Sequence, residues 1–313
     1  MALALGQPDW SFAGICALCG LSAGLVGISF RRLRPLTSCD LSPHVIRSFD
    51  MSFNVSQQQV EQFRIDGFLL VEDLYSAEEM DLLLQIGKTD TEKNEMVHAP
   101  RDAQGRESKL WLTSDTDRSD IYNAICHGRR MVDTMEALMD DEVYLYHYKM
   151  MVKEPRVGGA WEWHQDYGYW YNNGALYPDM ASCMIAVDRA HAGNGCLQVL
   201  KGSHRIGRIE HGRYGTQTGA HPERVALAEQ HLERVYCEMN PGSALFFHAN
   251  LLHCSDANES EDPRWSLICC YNTRHNPCDD KPGHPSYQPL EKWDDGRVVE
   301  MGRQQYQAMQ DER

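Results

Sequence analysis

The chain is short of positive charge. Against 45 aspartates and glutamates it carries 30 lysines and arginines, a formal net charge of −15 over 313 residues. That balance repels polyanions at long range and argues against nucleic acid or anionic membrane surfaces as partners. A dense Lys/Arg cluster for the phosphates of a CoA thioester is also missing; Arg205, Arg208 and Arg213 are the sparse exception. The cysteines lack a framework. Eleven, an odd number, are scattered without paired C-x-x-C motifs, which argues against a zinc ribbon or a disulfide scaffold and for reduced thiols. Cys183, Cys196, Cys269 and Cys270 fall in apolar runs, where free cysteine packs as a small hydrophobe, and Cys254 is the one to watch for oxidation.

Uncharged stretches long enough to span a bilayer, about 20 residues, are represented by Ser11 to Phe30, followed by Arg31-Arg32-Leu33-Arg34. The positive charge that a secretory signal carries ahead of its apolar run is missing, since that side offers only Asp9. Export is therefore disfavoured. A membrane partner arises only if residues 11–30 are a real anchor, in which case the arginines keep the following domain cytoplasmic. A mitochondrial leader is the other alternative. The reading adopted is an apolar extension over residues 1–50 from an upstream start, then one domain over 51–313 in the cytoplasm. The 42% hydrophobic content is ample for its core.

What the chain does have is Trp161-Glu-Trp-His164-Gln-Asp166. On an extended strand alternate residues share a face, so His164 and Asp166 are expected to project together toward one metal ion. A third ligand must come from another strand. His253 is the best candidate, since it follows the apolar segment opened by Pro241-Gly242-Ser243. Two imidazoles and a carboxylate that leave open positions are the ligand set of non-haem Fe(II) oxygenases, with zinc the main competitor. His221-Pro-Glu223 and His231-Leu-Glu233 fit the same loose motif but lie in a helix-favouring stretch, where i and i+2 diverge, and are read as decoys.

Local signals predict a capped helix from Ser56 to Asp66, a second from the capping box Ser76-Ala-Glu-Glu79, and one long amphipathic helix over 120–139. The segment from about 90 to 120 reads as loop with a strand at Lys109-Leu-Trp-Leu. From Glu142 onward strands dominate: Val143 to Lys153, then 181–188, 195–200, 235–238, 243–248 and 265–273, with a helical insertion near Pro222 to Glu233. Many short strands joined by Gly-rich turns, flanked by helices, predict a mainly β jelly-roll barrel. The segment after Pro277, rich in Pro, Asp and Lys, is expected to wrap the outside or stay loose.

From Gln58 to Pro277 the chain resembles the phytanoyl-CoA dioxygenase family, including its ectoine hydroxylase branch. The resemblance rests on the order and spacing of Asp66-Gly-Phe-Leu-Leu-Val71, Trp163-His-Gln-Asp-Tyr167, Asn194-Gly-Cys-Leu-Gln-Val199, Gly202-Ser-His-Arg205, Pro241-Gly-Ser243, His253 and Arg264-Trp-Ser266. It implies a double-stranded β-helix of cupin-like form, Fe(II) held by His164, Asp166 and His253, and 2-oxoglutarate anchored by Arg264. The implied activity uses O2 and 2-oxoglutarate to hydroxylate an unactivated C–H bond of a small metabolite, releasing succinate and CO2.

A guanidinium fork suits the anchoring task because it is always charged and donates two parallel hydrogen bonds to a carboxylate. Ser266 or Ser255 could add a hydroxyl donor. Lys149 shares a strand face with His147, Met151 and Lys153, and the resemblance makes it a second candidate anchor. Relatives that bind ectoine tend to carry glutamine where His147 stands, which turns the substrate question away from ectoine. Trp170 shares strand parity with the ligands and is expected to form an apolar wall over the metal, with Tyr167, Tyr169 and Tyr171 pointing away. His204 and Asn194-Gly195 are read as turn and packing elements. Halogenating relatives have a small residue at the position of Asp166, so the aspartate favours hydroxylation. The acidic charge and the Trp170 wall suggest a neutral, zwitterionic or cationic substrate. The alternatives are a non-catalytic metal or 2-oxoglutarate sensor barrel and a zinc hydrolase.

Overall fold

Ser56 caps the first helix as its sequence requires. In α1 (Gln57–Asp66) its hydroxyl accepts from the Gln59 amide, the Gln59 side chain answers the Ser56 amide, and Gly67 closes the helix at φ 82°. The protein is described by a computed structural model over residues 53–93, 97–113, 118–214, 216–278 and 285–312. The readings of residues 1–50 as leader, anchor or upstream extension lie outside these. Among the described residues no helix is long and apolar enough to cross a membrane.

After α1 come β1 (Phe68–Val71), α2 (Ala77–Lys93) with its Ser76–Glu79 cap, β2 (Lys109–Thr113), α3 (Ile121–His127) and α4 (Arg129–Met139). The single helix expected over 120–139 is two. Gly128, with an extended ψ of 138°, breaks it. Around the break Trp293 donates its amide to the His127 carbonyl at 2.8 Å, and its own carbonyl accepts from the Arg129 amide at 3.0 Å. Tertiary hydrogen bonds thus replace the helical ones that the periodicity promised.

The later elements are β3 (Val143–Lys153), β4 (Trp161–His164), α5 (Asp166–Trp170), β5 (Met180–Ala186), β6 (Leu197–Leu200), the hairpin β7 (His211–Tyr214) and β8 (Gln217–Ala220), α6 (Pro222–His231) and β9 (Arg234–Cys237). The series ends with β10 (Ala244–His248), β11 (His253–Ser255), β12 (Arg264–Thr273) and α7 (Arg297–Asp311). Of the two expectations for the segment after Pro277, wrapped on the outside or loose, α7 takes the first: it packs on α2 and α3, burying Val298 and Gly302.

One sheet runs β1-β10-β5-β12-β3-β2 and a second β4-β11-β6-β9, with antiparallel pairing throughout. This is the mainly β jelly-roll with flanking helices that the strand pattern predicts. Alternation sorts the side chains. On β12, Trp265, Leu267, Cys269 and Tyr271 join a core shared with the helices, while Ile268 and Cys270 join a second core inside the barrel. On β3 the parity shifts once, because Tyr271 pairs Leu145 but Cys270 pairs His147, leaving an extra residue at Tyr146. That bulge puts Leu145 and Tyr148 on the helix side, and Lys149 and Met151 face the barrel interior. Removing a side chain such as Leu267 from the outer core costs about 2–5 kcal/mol.

Candidate metal centre

Strands β4 and β11 are antiparallel neighbours whose register sets His164 opposite His253, with ring centroids 4.0 Å apart. Each ring is fixed from behind. The Nδ1 atoms donate to the carbonyls of Glu162 at 2.7 Å and Leu251 at 2.9 Å, which can only accept. Both Nε2 atoms are therefore unprotonated and face a common point, 3.8 and 4.0 Å from Asp166 Oδ1. Among the described residues these three alone bring metal-ligand atoms within 4.8 Å of one another. The decoy His221 lies at the start of α6 and His231 at its end, and neither joins such a cluster.

Asp166 arrives by another route than alternation. β4 stops at His164 and Asp166 opens α5, so a helical turn, not a pleat, aims the carboxylate. Two expectations fall with the strand. Trp170 is carried into the core, its ring edge-on to Tyr146 at 5.3 Å and to His147 at 5.7 Å, and neither Trp170 nor His147 lines the metal cavity. Tyr169, expected to point away, sits one turn after Asp166, donates its hydroxyl to Asp166 Oδ1 and stacks with its ring 6.0 Å from that of His164. Ser182 Oγ donates to the other carboxylate oxygen at 3.2 Å.

Burial sets the protonation. It pushes His164 down to about 3, aided by its neighbour His253, and lowers His253 as well. For Asp166 burial pulls upward, but the charge of Lys149, the two imidazoles and the Tyr169 hydroxyl outweigh it and hold the carboxyl well below its usual range. Two neutral imidazoles and one carboxylate are thus ready at neutral pH, a donor set that fits a divalent iron ion and leaves coordination positions open.

Two adjoining spaces border the metal face. An outer cavity of about 620 Å³ is walled by His98, Arg101, Leu110, Trp161, Tyr169 and Thr216–Thr218. An inner chamber of about 70 Å³ runs from His164, Asp166 and His253 to Lys149, Ser255 and Arg264. Leu110, Trp161, His164 and Tyr169 border both. The outer space is in the range of small-molecule pockets, whereas the inner one admits only a narrow molecule.

Arg264 ends the inner chamber. It is 2% exposed, donates Nη1 to the Gly195 carbonyl at 2.9 Å and has a buried Nε without a partner. Burial lowers its guanidinium to about 10. A buried fork with a spare donor fits a carboxylate of a 2-oxoacid. Gly195 makes the seat possible: its φ is 75°, and an added Cβ would fall 2.2 Å from the Asp256 carbonyl.

Ser255 lines the chamber and accepts a hydrogen bond from Lys153 Nζ at 2.7 Å, which leaves its own proton to donate. Ser266 lies on the Arg264 face of β12, with a buried, unpartnered hydroxyl, but does not line the chamber. Cys254 pairs with Gln198, and burial raises its thiol, which suits packing rather than reactivity. The described cysteines, Cys126, Cys183, Cys196, Cys237, Cys254, Cys269, Cys270 and Cys278, are all free and buried.

Sequence reasoning missed Lys153, Tyr169 and Trp161. For Lys153 the signal existed, since it shares strand parity with Lys149. Tyr169 becomes legible only once Asp166 is known to start a helix, and Trp161 borders both cavities only because β4 meets the segments around His98 and Gln217.

A sequence model of the phytanoyl-CoA dioxygenase family (PhyH) matches residues 63–266. Ectoine dioxygenase of Halomonas elongata is 26% identical over 278 residues, 80% of this chain and 81% of the relative. L-proline trans-4-hydroxylase of Streptomyces griseoviridis is 30% identical over 176 residues, 51% of this chain and 64% of the relative. The crystal structure of EctD from S. alaskensis with 2-oxoglutarate and 5-hydroxyectoine superposes with a TM-score of 0.65 at 22% identity, covering 77% of this chain and 88% of that one.

Proposed function

The chain belongs to the phytanoyl-CoA dioxygenase family and is a 2-oxoglutarate-dependent non-haem iron dioxygenase, in which we propose that His164, Asp166 and His253 hold the iron. Its activity is hydroxylation of a small molecule with release of succinate and CO2. The observation that carries the residue roles is one geometry: two tautomer-fixed imidazoles and a carboxylate converge at one end of a narrow chamber whose other end is an unsatisfied buried guanidinium. Bound ferrous iron, 2-oxoglutarate and O2 supply the oxidising power for an unactivated C–H bond; the protein supplies position and dryness.

Arg264 grips the distal carboxylate of 2-oxoglutarate, with the Ser255 hydroxyl as second donor, and the length of the chamber directs the oxoacid end toward the ligands. Tyr169 and Ser182 each hold one oxygen of Asp166, so the carboxylate keeps a single orientation. Leu110, Met151, Met184, Leu197, Phe247 and Ile268 exclude water around the reacting end. The substrate occupies the outer cavity and meets the metal past Tyr169 and Trp161.

Succinate formation by protein loaded anaerobically with Fe(II) and then exposed to O2 and 2-oxoglutarate tests this reading. Decarboxylation is expected to require Fe(II) and O2 and to vanish in Asp166→Ala. Undiminished succinate in that variant, or zinc-supported turnover without O2, would overturn it.

A further inference from the structure

β4 is the outermost strand of the sheet β4-β11-β6-β9, so one edge of the segment that carries His164 has no strand beside it in that sheet. The β7–β8 hairpin supplies side chains instead. Gln217, 3% exposed, donates Nε2 to the Ala160 carbonyl at 2.8 Å and accepts from the Glu162 amide at 3.1 Å, as a peptide unit of a neighbouring strand would. Further along, the Gln165 amide donates to His211 Nε2 at 3.0 Å. That amide belongs to the peptide between His164 and Gln165, where the chain leaves the strand and turns into α5 with Asp166.

The imidazole of His211 is itself held in place. Its Nδ1 donates to the Ile209 carbonyl at 2.8 Å, which can only accept, and this leaves on Nε2 the lone pair that the Gln165 amide needs. The ring stands edge-on to Tyr169, with centroids 6.4 Å apart. It also occupies the space of the side chain that Gly168 lacks: a Cβ there would fall 2.0 Å from His211 Cε1 and 2.3 Å from each ring nitrogen. The Gln165 side chain is bonded to Gly207, Ile209 and Asn250, so this residue is anchored at backbone and side chain alike.

The direction of the Gln165 peptide sets the angle at which α5 starts, and α5 aims Asp166 at the two imidazoles. Resting on the function proposed above, we propose that His211 is a positioning residue for the iron site, fixing the backbone between the ligands His164 and Asp166. It lines neither cavity, so it acts through that peptide and not by contact with substrate.

The test measures Fe(II) affinity of the full-length protein anaerobically, by competition with a ferrous chelator, alongside thermal unfolding of the metal-free form. His211→Leu removes the acceptor, His211→Gln returns one, and Gly168→Ala leaves residue 211 unchanged while displacing its ring. His211→Leu and Gly168→Ala are expected to weaken Fe(II) binding about tenfold, with His211→Gln within about threefold of the wild type. A purely structural role predicts instead lower unfolding midpoints with unchanged iron affinity at a temperature where every variant is folded. Two results overturn the proposal: a folded His211→Leu protein that binds Fe(II) within about threefold of the wild type, or a His211→Gln protein as weak as His211→Leu. Should His211→Leu not fold, Gly168→Ala takes its place in both comparisons. A wild type that binds no Fe(II) would overturn the underlying assignment of the site, and this inference with it.

Discussion

Arg264 and Lys153 are register partners across the β12–β3 ladder, two buried basic side chains side by side, and neither forms an ion pair with a described carboxylate. Burial, then the neighbouring guanidinium, holds the Lys153 amine well below its ordinary range. A fold keeps such a pair at a cost, because burying two basic groups beside each other without a counter-charge disfavours their charged forms.

The first prediction follows from that cost. Arg264→Met is expected to leave the metal-free protein as stable as the wild type or more so, and to weaken 2-oxoglutarate binding by about 100-fold. Urea unfolding and equilibrium titration of the two proteins separate these effects. A loss of stability larger than about 2 kcal/mol with intact cosubstrate binding would make Arg264 a structural residue.

Gly195 couples backbone to site. Because its φ is 75° and an added Cβ would lie 2.2 Å from the Asp256 carbonyl, Gly195→Ala is expected to cost roughly 1–3 kcal/mol or more. The same displacement moves the carbonyl that seats Arg264, so 2-oxoglutarate affinity should fall in parallel. Normal affinity in a destabilised variant would break the link.

Tyr169→Phe deletes one hydrogen bond to Asp166 and keeps the ring stacked on His164. Iron affinity is expected to drop about 10-fold with the unfolding midpoint nearly unchanged. Competition with a ferrous chelator measures the first and thermal unfolding the second; unaltered iron affinity refutes the orienting role.

Two histidines packed into the interior, His164 fully and His248 in large part, predict the acid behaviour of the metal-free fold. Burial pushes both His164 and His248 to about 3, below the ordinary 6.5, so the unfolded chain binds the extra protons. Their contribution is complete above pH 6.5 and is lost as pH falls toward 3, at roughly 1.4 kcal/mol per group per pH unit. His275 has the opposite sign. Held by Asp179 and Asp141, it is raised above 6.5, and its contribution is complete below that value and is lost as pH rises through the folded one. Being half exposed, it counts for little. Urea unfolding at pH 7 and pH 5 should show a drop of roughly 2–4 kcal/mol, and a flat profile between them would contradict the burial argument.

The fold class was legible because strands announce themselves by period. The residues from Val143 to Lys153 read as one long strand and form one, and the Ser56 and Ser76 caps mark helix starts that depend only on neighbours within four residues. The helix break at Gly128 was not legible, because the groups that replace its hydrogen bonds belong to Trp293, far along the chain. The bulge at Tyr146 was hidden for the same reason: register is a property of two strands.

The sequence by itself determined the inventory of the site. A His-x-Asp pair, a distant histidine and an arginine eleven residues beyond it are chemical facts of the chain, and their types limit which metal and which anion they suit. Only the tertiary structure decided which side chains surround them. Strand parity assigned the wall to Trp170, but the turn at Asp166 rotates Trp170 into the core and brings Tyr169 to the carboxylate. The charge of the chamber was likewise invisible in a total of −15, since a sum over 313 residues says nothing of the few that folding isolates from water.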